Sequence, residues 1–173
     1  VYGKQWRRWL GADGREYDQI AALVDMLRTN PTSRRMLFHA WNVPEINQMA
    51  LPPCHMVYQF HCTSDGRLNC LLYQRSCDLF LGGPFNYIGT AALQLMLAQQ
   101  AGLTPGDLVW MGGDVHLYLN HLDQAREQIR REPRPFPRMR LLRRPDSIDG
   151  YRIDDFRQLG VAANMQSLWA TYE

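Results

Sequence analysis

The sequence predicts an α+β fold. Segments typical of strands and of helices alternate irregularly along the chain, which disfavours a regular βαβ repeat. A turn sequence at 64–66 separates two apolar stretches and predicts an antiparallel hairpin. A mostly apolar segment at 86–101, followed by Gly102, predicts a long buried helix that ends at this glycine.

The first third of the chain predicts a helix, a strand and a short helical segment. Apolar residues recur at helical spacing over 18–27, and Asn30 and Pro31 end that helix. Residues 36–41 form a short apolar stretch typical of a buried strand. Residues 44–49 predict one or two helical turns.

The middle of the chain predicts the hairpin and the long helix. The hairpin strands are 55–62 and 68–77. The Gly82-Gly83-Pro84 sequence should then break the chain, so that the helix begins at Asn86.

The last third predicts a strand at 107–111 and a helix with a basic outer face at 119–131. The prolines of 132–137 indicate an extended segment. A late strand at 139–142 and a final helix at 161–172 follow.

The composition is that of one ordinary globular domain covering 1–173. Of 173 residues, 46% are hydrophobic and 21% are charged, which excludes a disordered chain, a collagen-like repeat and a disulfide-rich miniprotein. The net charge of +2 makes a nucleic-acid partner unexpected, although arginines crowd the stretch 126–144. No signal peptide and no apolar stretch of about 18 residues is present, so we expect a cytoplasmic protein without a membrane span.

Cys54 is a candidate nucleophile. The four cysteines, at 54, 62, 70 and 77, form no CxxC pair, so a zinc site is not expected and the thiols should be reduced. Three of them are expected to be packing residues, and packing is also the simpler interpretation of any single cysteine. Cys54, however, follows two prolines, and Arg75 on the predicted hairpin could stabilise its thiolate.

Two arginine-containing segments are candidates for binding an anion. In 73–78, Arg75 and Ser76 could contact a phosphate, although a solvated strand end explains the same polarity. Arg34 and Arg35 are a second candidate source of phosphate contacts, with ordinary solvated surface as the alternative.

Polar side chains in two further segments could bind a nucleoside. His116 and Tyr118 share one face if 112–118 is extended, and two such groups suit a sugar hydroxyl; a core histidine is the alternative. The Asn86 amide could read the carbonyl and ring N–H of uracil, or it could only cap the helix.

Together these segments resemble the thymidylate synthase family over about residues 1–156. The resemblance is carried by VYGKQWR at 1–7, SRR at 33–35, AWNVPEINQMALPPCH at 40–55, LYQRSCDLFLGGPFN at 72–86, MGGDVHLYLNH at 111–121 and REPRPFP at 131–137. It implies a mixed sheet with a long buried helix. It also implies that Cys54 attacks carbon 6 of uracil, and that carbon 5 then takes a one-carbon unit from methylenetetrahydrofolate.

The resemblance also assigns the substrate-binding residues. For the nucleotide, it implies that Asn86 holds the base, that Gln74 shapes the base site, and that His116 and Tyr118 bind the sugar. It implies that Arg75 and Ser76 bind the phosphate, and that Arg34 and Arg35 reach this phosphate from the second subunit of a homodimer. It also implies that Tyr2 assists proton removal, and that the folate side is lined by Asp78, Leu81, Gly82 and Phe85. The implied partners are a pyrimidine nucleoside monophosphate and a reduced folate. Neither a metal nor a membrane is expected.

The sequence departs from the family pattern in three places. The family's N-terminal part, which brings a phosphate-loop arginine, a catalytic glutamate and tryptophans, does not precede Val1, so we expect an N-terminally incomplete chain. From about residue 157 the sequence lacks the usual closing tail. The helix segment YIGTAAL at 87–93 also differs from the usual pattern.

Three functions are consistent with these residues. The first is methylation of deoxyuridylate. The second is hydroxymethylation of deoxyuridylate or a cytidylate, in which water instead of hydride traps the same intermediate. The third is a non-catalytic relative that binds a nucleotide or RNA.

Overall fold

The computed structural model describes residues 1–159, so the predicted helix at 161–172 lies outside the described residues. The chain divides into two compact units, Val1–Leu122 and Asp123–Glu173. Each is described by itself below, and a single domain over 1–173 stays a prediction.

The first unit is built on a four-stranded mixed sheet with strand order β3-β4-β5-β6. Its strands are β3 (Leu37–His39), β4 (His55–Cys62), β5 (Arg67–Asp78) and β6 (Thr104–His116). The first two pairings are antiparallel, and β5 pairs with β6 in parallel. The mixed sheet and its helices confirm the predicted α+β class.

The predicted hairpin is confirmed as β4 and β5. Their connection turns at Gly66, whose φ of +80° is easily adopted by glycine. The predicted strands at 36–41 and 107–111 are also present, as the shorter β3 and the longer β6. The segment predicted at 44–49 is a 3₁₀ helix, Val43–Gln48.

The first predicted helix is confirmed as α2 (Gln19–Thr29). The Asp18 side chain caps its start by accepting a hydrogen bond from the backbone N–H of Ala21. The apolar residues at helical spacing are all buried: Ile20, Leu23, Val24 and Leu27.

Two short elements precede α2 and were not predicted. They are the helix α1 (Tyr2–Arg7) and a small antiparallel pair, β1 (Trp9–Leu10) with β2 (Glu16–Tyr17). The Trp6 ring of α1 packs edge-on against Phe38, with ring centroids 5.2 Å apart. This aromatic contact holds α1 against β3.

The long helix α3 (Gly82–Ala101) begins four residues earlier than predicted, so the predicted break at 82–84 is wrong. A proline in the first turn costs no intrahelical hydrogen bond, because the first backbone N–H groups have no partner within a helix. Asn86 therefore lies inside the helix and does not cap it. The predicted end is confirmed, since Gly102 adopts a left-handed conformation with φ +72°.

The buried face of α3 is more polar than its composition suggests. Gln94 is buried, and its Nε2 donates to the backbone carbonyls of Leu68 (2.7 Å), Asp107 (3.1 Å) and Gly106 (3.2 Å). Ile88, on the same helix, is 50% exposed. The expectation of a buried apolar helix is thus met along only part of its surface.

The second unit contains most of α4 (Leu122–Arg130) and an antiparallel pair, β7 (Arg138–Leu141) with β8 (Phe156–Leu159). A 3₁₀ turn precedes α4. Residues 132–137, predicted to be an extended segment, have no regular secondary structure. The strand β8 was not predicted. The Asp155 carboxylate accepts hydrogen bonds from Arg143 Nε (2.5 Å) and from the backbone N–H of Arg152 (2.7 Å).

Within residues 1–159, none of the helices is long and apolar enough to cross a membrane.

We predict that Gln94→Met lowers the free energy of unfolding by about 1–3 kcal/mol, because it removes the donor for buried carbonyls at nearly constant volume. Chemical denaturation measures the change. Gln128→Met, at an exposed position of α4, is the matched control and should change stability by less than about 0.5 kcal/mol. Equal effects of the two substitutions would contradict this role of Gln94.

Candidate active site

The predicted site residues lie in the first unit, and most of them are close to the carboxyl end of β5. This strand carries Gln74 to Asp78, and α3 begins soon after it. The loop that bears Cys54 leads directly into the neighbouring β4, where His55 pairs with Gln74. The fold therefore brings the thiol, the polar end of β5 and the start of α3 together.

The Tyr2 hydroxyl contacts the backbone of Cys54. Tyr2 Oη accepts hydrogen bonds from the backbone N–H groups of Cys54 (2.9 Å) and His55 (3.1 Å). The Tyr2 ring also stacks on the His55 ring at a centroid distance of 5.2 Å. Burial raises the pKa of Tyr2, so at neutral pH this residue keeps its proton and remains a hydrogen-bond donor.

Arg75 holds the loop that precedes the thiol. Its Nε donates to the carbonyl of Pro53 (2.8 Å) and its Nη2 to that of Pro52 (2.9 Å). Its backbone N–H donates to the carbonyl of Cys54 (2.9 Å). The guanidinium also lies over the Trp41 ring, 5.7 Å from the centroid. Arg75 thus has a positioning role that the sequence analysis missed, while its Nη1 has no protein partner among residues 1–159.

The amide of Gln74 connects β6 to α3. Gln74 is buried, and its Oε1 accepts a hydrogen bond from the indole N–H of Trp110 (2.9 Å). Its Nε2 donates to Asn86 Oδ1 (2.8 Å) and to the carbonyl of Ser76 (3.0 Å). Because an indole N–H can only donate, it fixes the orientation of the Gln74 amide. The Gln74 NH₂ group in turn orients the side-chain oxygen of Asn86 towards β5.

The His55 ring is a second neighbour of the Asn86 amide. Its Nδ1 lies 3.2 Å from Tyr58 Oη. Burial lowers the pKa of His55, while a hydrogen bond with the Asn86 side chain opposes this shift. The ring is therefore neutral at pH 7.

The residues predicted to line the folate side lie where β5 ends and α3 begins. The backbone N–H of Leu81 donates to Asp78 Oδ1 (3.3 Å), and Gly82 is the first residue of α3. Leu81 is 41% exposed and Phe85 is 52% exposed. The connection thus presents apolar surface beside a carboxylate.

His116 and Tyr118 come together at the end of β6. Their ring centroids are 5.0 Å apart, and His116 Nδ1 lies 3.0 Å from Asp114 Oδ1. Upstream, a Cβ at Gly113 would lie 2.9 Å from the carbonyl oxygen of Arg75. A glycine there permits the close approach of β6 to the Arg75 end of β5, as the glycine pair suggested.

Arg34 and Arg35 are exposed and precede β3. Neither guanidinium makes a hydrogen bond or ion pair with any other part of the chain that the structure describes. Within this chain, the structure does not bring them to Cys54.

The other cysteines differ from Cys54 in their surroundings. Cys70 and Cys77 are buried, and burial raises the pKa of Cys70 to about 12. Cys62 is half-buried at the end of β4. All four are free thiols, and no group of three metal-binding side chains is clustered within the described chain.

Sequence reasoning missed the side chains that hold the predicted residues in place. They are Trp41, Tyr58 and Trp110. The first lies in a motif that was noted only as a whole, and the other two alternate with exposed residues on their strands. That alternation indicates burial but gives no information about hydrogen-bond partners.

Comparison with known proteins agrees with the motifs. A family model described as thymidylate synthase matches residues 1–165. A thymidylate synthase of Rhodopseudomonas palustris (strain BisA53) is 80% identical over 156 residues, which cover 90% of this chain and 52% of that protein. The thymidylate synthase of Zymomonas mobilis subsp. mobilis is 68% identical over 160 residues, covering 92% of this chain and 54% of that protein. The chain spans about half the length of the curated relatives it matches.

Proposed function

The chain belongs to the thymidylate synthase family, and on that premise we propose that the gene product transfers a one-carbon unit to carbon 5 of deoxyuridylate. The product is thymidylate, and the co-substrate is methylenetetrahydrofolate. The observation that carries this proposal is the position of Cys54. Its backbone is held by Tyr2 and Arg75, beside the strand end from which the amide of Asn86 is oriented.

Cys54 supplies the nucleophile. Its thiolate adds to carbon 6 of the uracil ring, which makes carbon 5 nucleophilic. The folate supplies the one-carbon unit and then, as a hydride, the two electrons that reduce it to a methyl group. Loss of the carbon-5 proton and release of the thiolate restore the ring double bond. Tyr2, which lies against Cys54, is proposed to assist the removal of that proton.

Asn86 reads the base. Its Oδ1 faces Gln74, so its Nδ2 hydrogens point away from β5 and are available as donors. An amide in this orientation can donate to the carbonyl at carbon 4 of uracil, while its oxygen retains a lone pair for the ring N–H.

The remaining nucleotide contacts follow from the polar ends of β5 and β6. Arg75 has an unengaged Nη1, which with the hydroxyl of Ser76 is suited to a phosphate. His116 and Tyr118, whose rings touch, are proposed to bind the 3′-hydroxyl of the sugar.

The folate is proposed to bind where β5 joins α3. Phe85 and Leu81 offer exposed apolar surface for a ring system, and the Asp78 carboxylate can accept hydrogen bonds from its N–H groups. These features suit a flat heterocycle with donors at its edge. Gly82 leaves the surface there without a side chain.

A homodimer is proposed to complete the site. The sheet has a row of aligned residues, Leu37, Gln59, Leu71 and Val109, on the face opposite to the buried Phe38 and Tyr58. Leu37 is 43% exposed and Val109 is 48% exposed. An exposed apolar sheet face of this kind is suited to a second copy of the chain. Arg34 and Arg35, whose guanidinium groups make no hydrogen bond or ion pair within the described chain, are proposed to reach the phosphate of that second copy.

The alternative product is the 5-hydroxymethyl nucleotide, formed if water reaches the intermediate before hydride does. Both outcomes use the same Cys54 adduct, and the residues after 159 that could exclude water lie outside the described residues. Absorbance separates the outcomes, because only the methylation converts the folate to dihydrofolate. We propose methylation, in the cytoplasm.

We predict that Cys54→Ser lowers turnover at least a thousand-fold, because a neutral hydroxyl is a much weaker nucleophile than a thiolate. Turnover is measured by the formation of dihydrofolate and of thymidylate in the gene product expressed in full. Deoxyuridylate should still bind to the variant within about ten-fold of its original affinity.

Cys62→Ser is the matched control, because this half-buried thiol lies at the opposite end of β4. It should leave turnover nearly unchanged. Near-normal turnover of the Cys54 variant would contradict the proposed function.

We predict that an Arg35→Ala variant and a Cys54→Ser variant, each nearly inactive, regain activity when they are mixed and allowed to exchange subunits. One of the two sites in a mixed dimer then has both an intact thiol and an intact arginine. Up to about a quarter of the original activity should return after random exchange, since half the dimers are mixed and each carries one intact site. A monomer with full activity at the assay concentration would refute the shared site.

A further inference from the structure

The side chain of Gln5 is buried in α1, one helical turn after Tyr2. It is 1% exposed, and both polar atoms of its amide have partners in the segment that leads to Cys54. Its Nε2 donates to Glu45 Oε2 (2.6 Å), and its Oε1 accepts from Asn42 Nδ2 (3.0 Å). One amide therefore joins the helix that carries Tyr2 to the segment that precedes the proposed nucleophile.

The carboxylate of Glu45 fixes the direction of these two hydrogen bonds. Hydrogen bonds from Lys4 (2.8 Å) and Gln5 lower the pKa of the Glu45 carboxyl, which is thus ionised at neutral pH. An ionised carboxylate can only accept, so the NH₂ group of Gln5 must face it. The Gln5 oxygen then faces the NH₂ group of Asn42. A flipped amide would set two acceptors against each other on one side and two donors on the other.

The helix α1 depends on such contacts for its position. It has six residues, and an isolated helix of this length is not stable in water. Gln19 of α2 holds the backbone of the same residue, because its Nε2 donates to the carbonyl of Gln5 (2.9 Å) and to that of His39 in β3 (2.8 Å). Gln5 is thus anchored through both its side chain and its backbone.

The same stretch of chain is contacted again by the first residue of α1. Glu45 lies in the 3₁₀ helix Val43–Gln48, from which the chain runs directly to Cys54. One helical turn before Gln5, the Tyr2 hydroxyl accepts hydrogen bonds from the backbone N–H groups of Cys54 and His55. The contacts at Gln5 and at Tyr2 therefore hold α1 against the two ends of one segment.

We propose that Gln5 is a positioning residue for Tyr2. Through its hydrogen bonds to Asn42 and Glu45, Gln5 sets the position of α1. The Tyr2 hydroxyl is thereby held on the backbone N–H of Cys54. The consequence for catalysis rests on the proposed function, since Tyr2 can assist the loss of the carbon-5 proton only from a fixed position. A misplacement of about 1 Å can lower a rate about a hundred-fold.

The position of Tyr2 is measured without substrate, from the backbone ¹H–¹⁵N signals of Cys54 and His55 by NMR, in the gene product expressed in full. Tyr2→Phe removes the acceptor of both N–H groups and defines the signals of the lost contact. Gln5→Met removes both hydrogen bonds of the amide and should shift the two signals in the same direction. Unchanged signals in the folded variant would overturn the proposal. Glu45→Met, which removes only the half-buried acceptor, gives the same test if Gln5→Met does not fold.

An exchange of the two side chains tests the cause. Gln5→Glu sets a second carboxylate against Glu45, and at pH 8 their repulsion should displace the Cys54 and His55 signals. Adding Glu45→Gln restores the pairing with its direction reversed, because the new amide can donate to the new carboxylate and still accept from Lys4. The signals should return in this double variant. Signals that stay as displaced as in Gln5→Glu alone would contradict the proposed hydrogen bond.

Turnover assays separate a role through Tyr2 from a purely structural one. Gln5→Met should lower kcat about ten- to a hundred-fold and leave KM for deoxyuridylate within about three-fold. The Tyr2→Phe/Gln5→Met double variant should be no slower than Tyr2→Phe alone, within about two-fold, because Gln5 acts through Tyr2. Losses that multiply in the double variant would overturn the positioning role.

Lys4→Met is the matched control. Lys4 lies on the same helix and pairs with the same carboxylate, but its side chain is 52% exposed. Exposed ion pairs contribute little, so the Cys54 and His55 signals should not move and kcat should stay within about two-fold. Effects as large as those of Gln5→Met would contradict the assignment to Gln5. If the amide signals behave as predicted but the unaltered protein shows no turnover, the proposed function fails while the positioning role stands.

Discussion

The buried amide of Gln74 is the interaction on which the rest of the site depends. It receives the indole N–H of Trp110 and donates to Asn86 and to the carbonyl of Ser76, so each of its polar atoms has a partner. Because an indole N–H can only donate, the Gln74 oxygen must face Trp110, and the Gln74 NH₂ group must then face the side-chain oxygen of Asn86. Rotating the amide would place two donors against each other in a buried space, which is costly. The orientation of the Asn86 amide, which we propose selects the base, is thus set by contacts within the protein itself.

The position of this amide depends in turn on how β5 is paired. The antiparallel neighbour β4 brings the thiol loop to the end of β5, and the parallel neighbour β6 brings Trp110 and the His116–Tyr118 pair. Arg75, on the opposite face of β5 from Gln74, holds the two carbonyls before Cys54. Successive residues of one strand therefore serve two parts of the site, because side chains alternate between its faces.

Sequence reasoning succeeded where local chemistry decides the structure. The hairpin, the capped helix α2 and the end of α3 at Gly102 follow from turn, cap and periodicity signals. It failed at the start of α3, where Pro84 was interpreted as a break although a first turn tolerates proline. The candidate thiol, the candidate anion-binding residues and the candidate base-contacting amide could be named from residue types, since their chemistry is local, and their roles stay predictions. The supports of the site, such as Tyr58, come from residues distant in sequence and are fixed only by tertiary packing.

The central claim is that one oriented amide selects the base. The most direct test is the ratio of kcat/KM for deoxyuridylate to that for deoxycytidylate, compared between the gene product expressed in full and an Asn86→Asp variant. A carboxyl group can accept from the amino group of cytosine, so the ratio should fall by about ten- to a hundred-fold, equivalent to about 1–3 kcal/mol. An Asn47→Asp variant, altered at an exposed asparagine of the 3₁₀ helix Val43–Gln48, should keep the original ratio. A ratio that is the same in all three proteins would contradict the account.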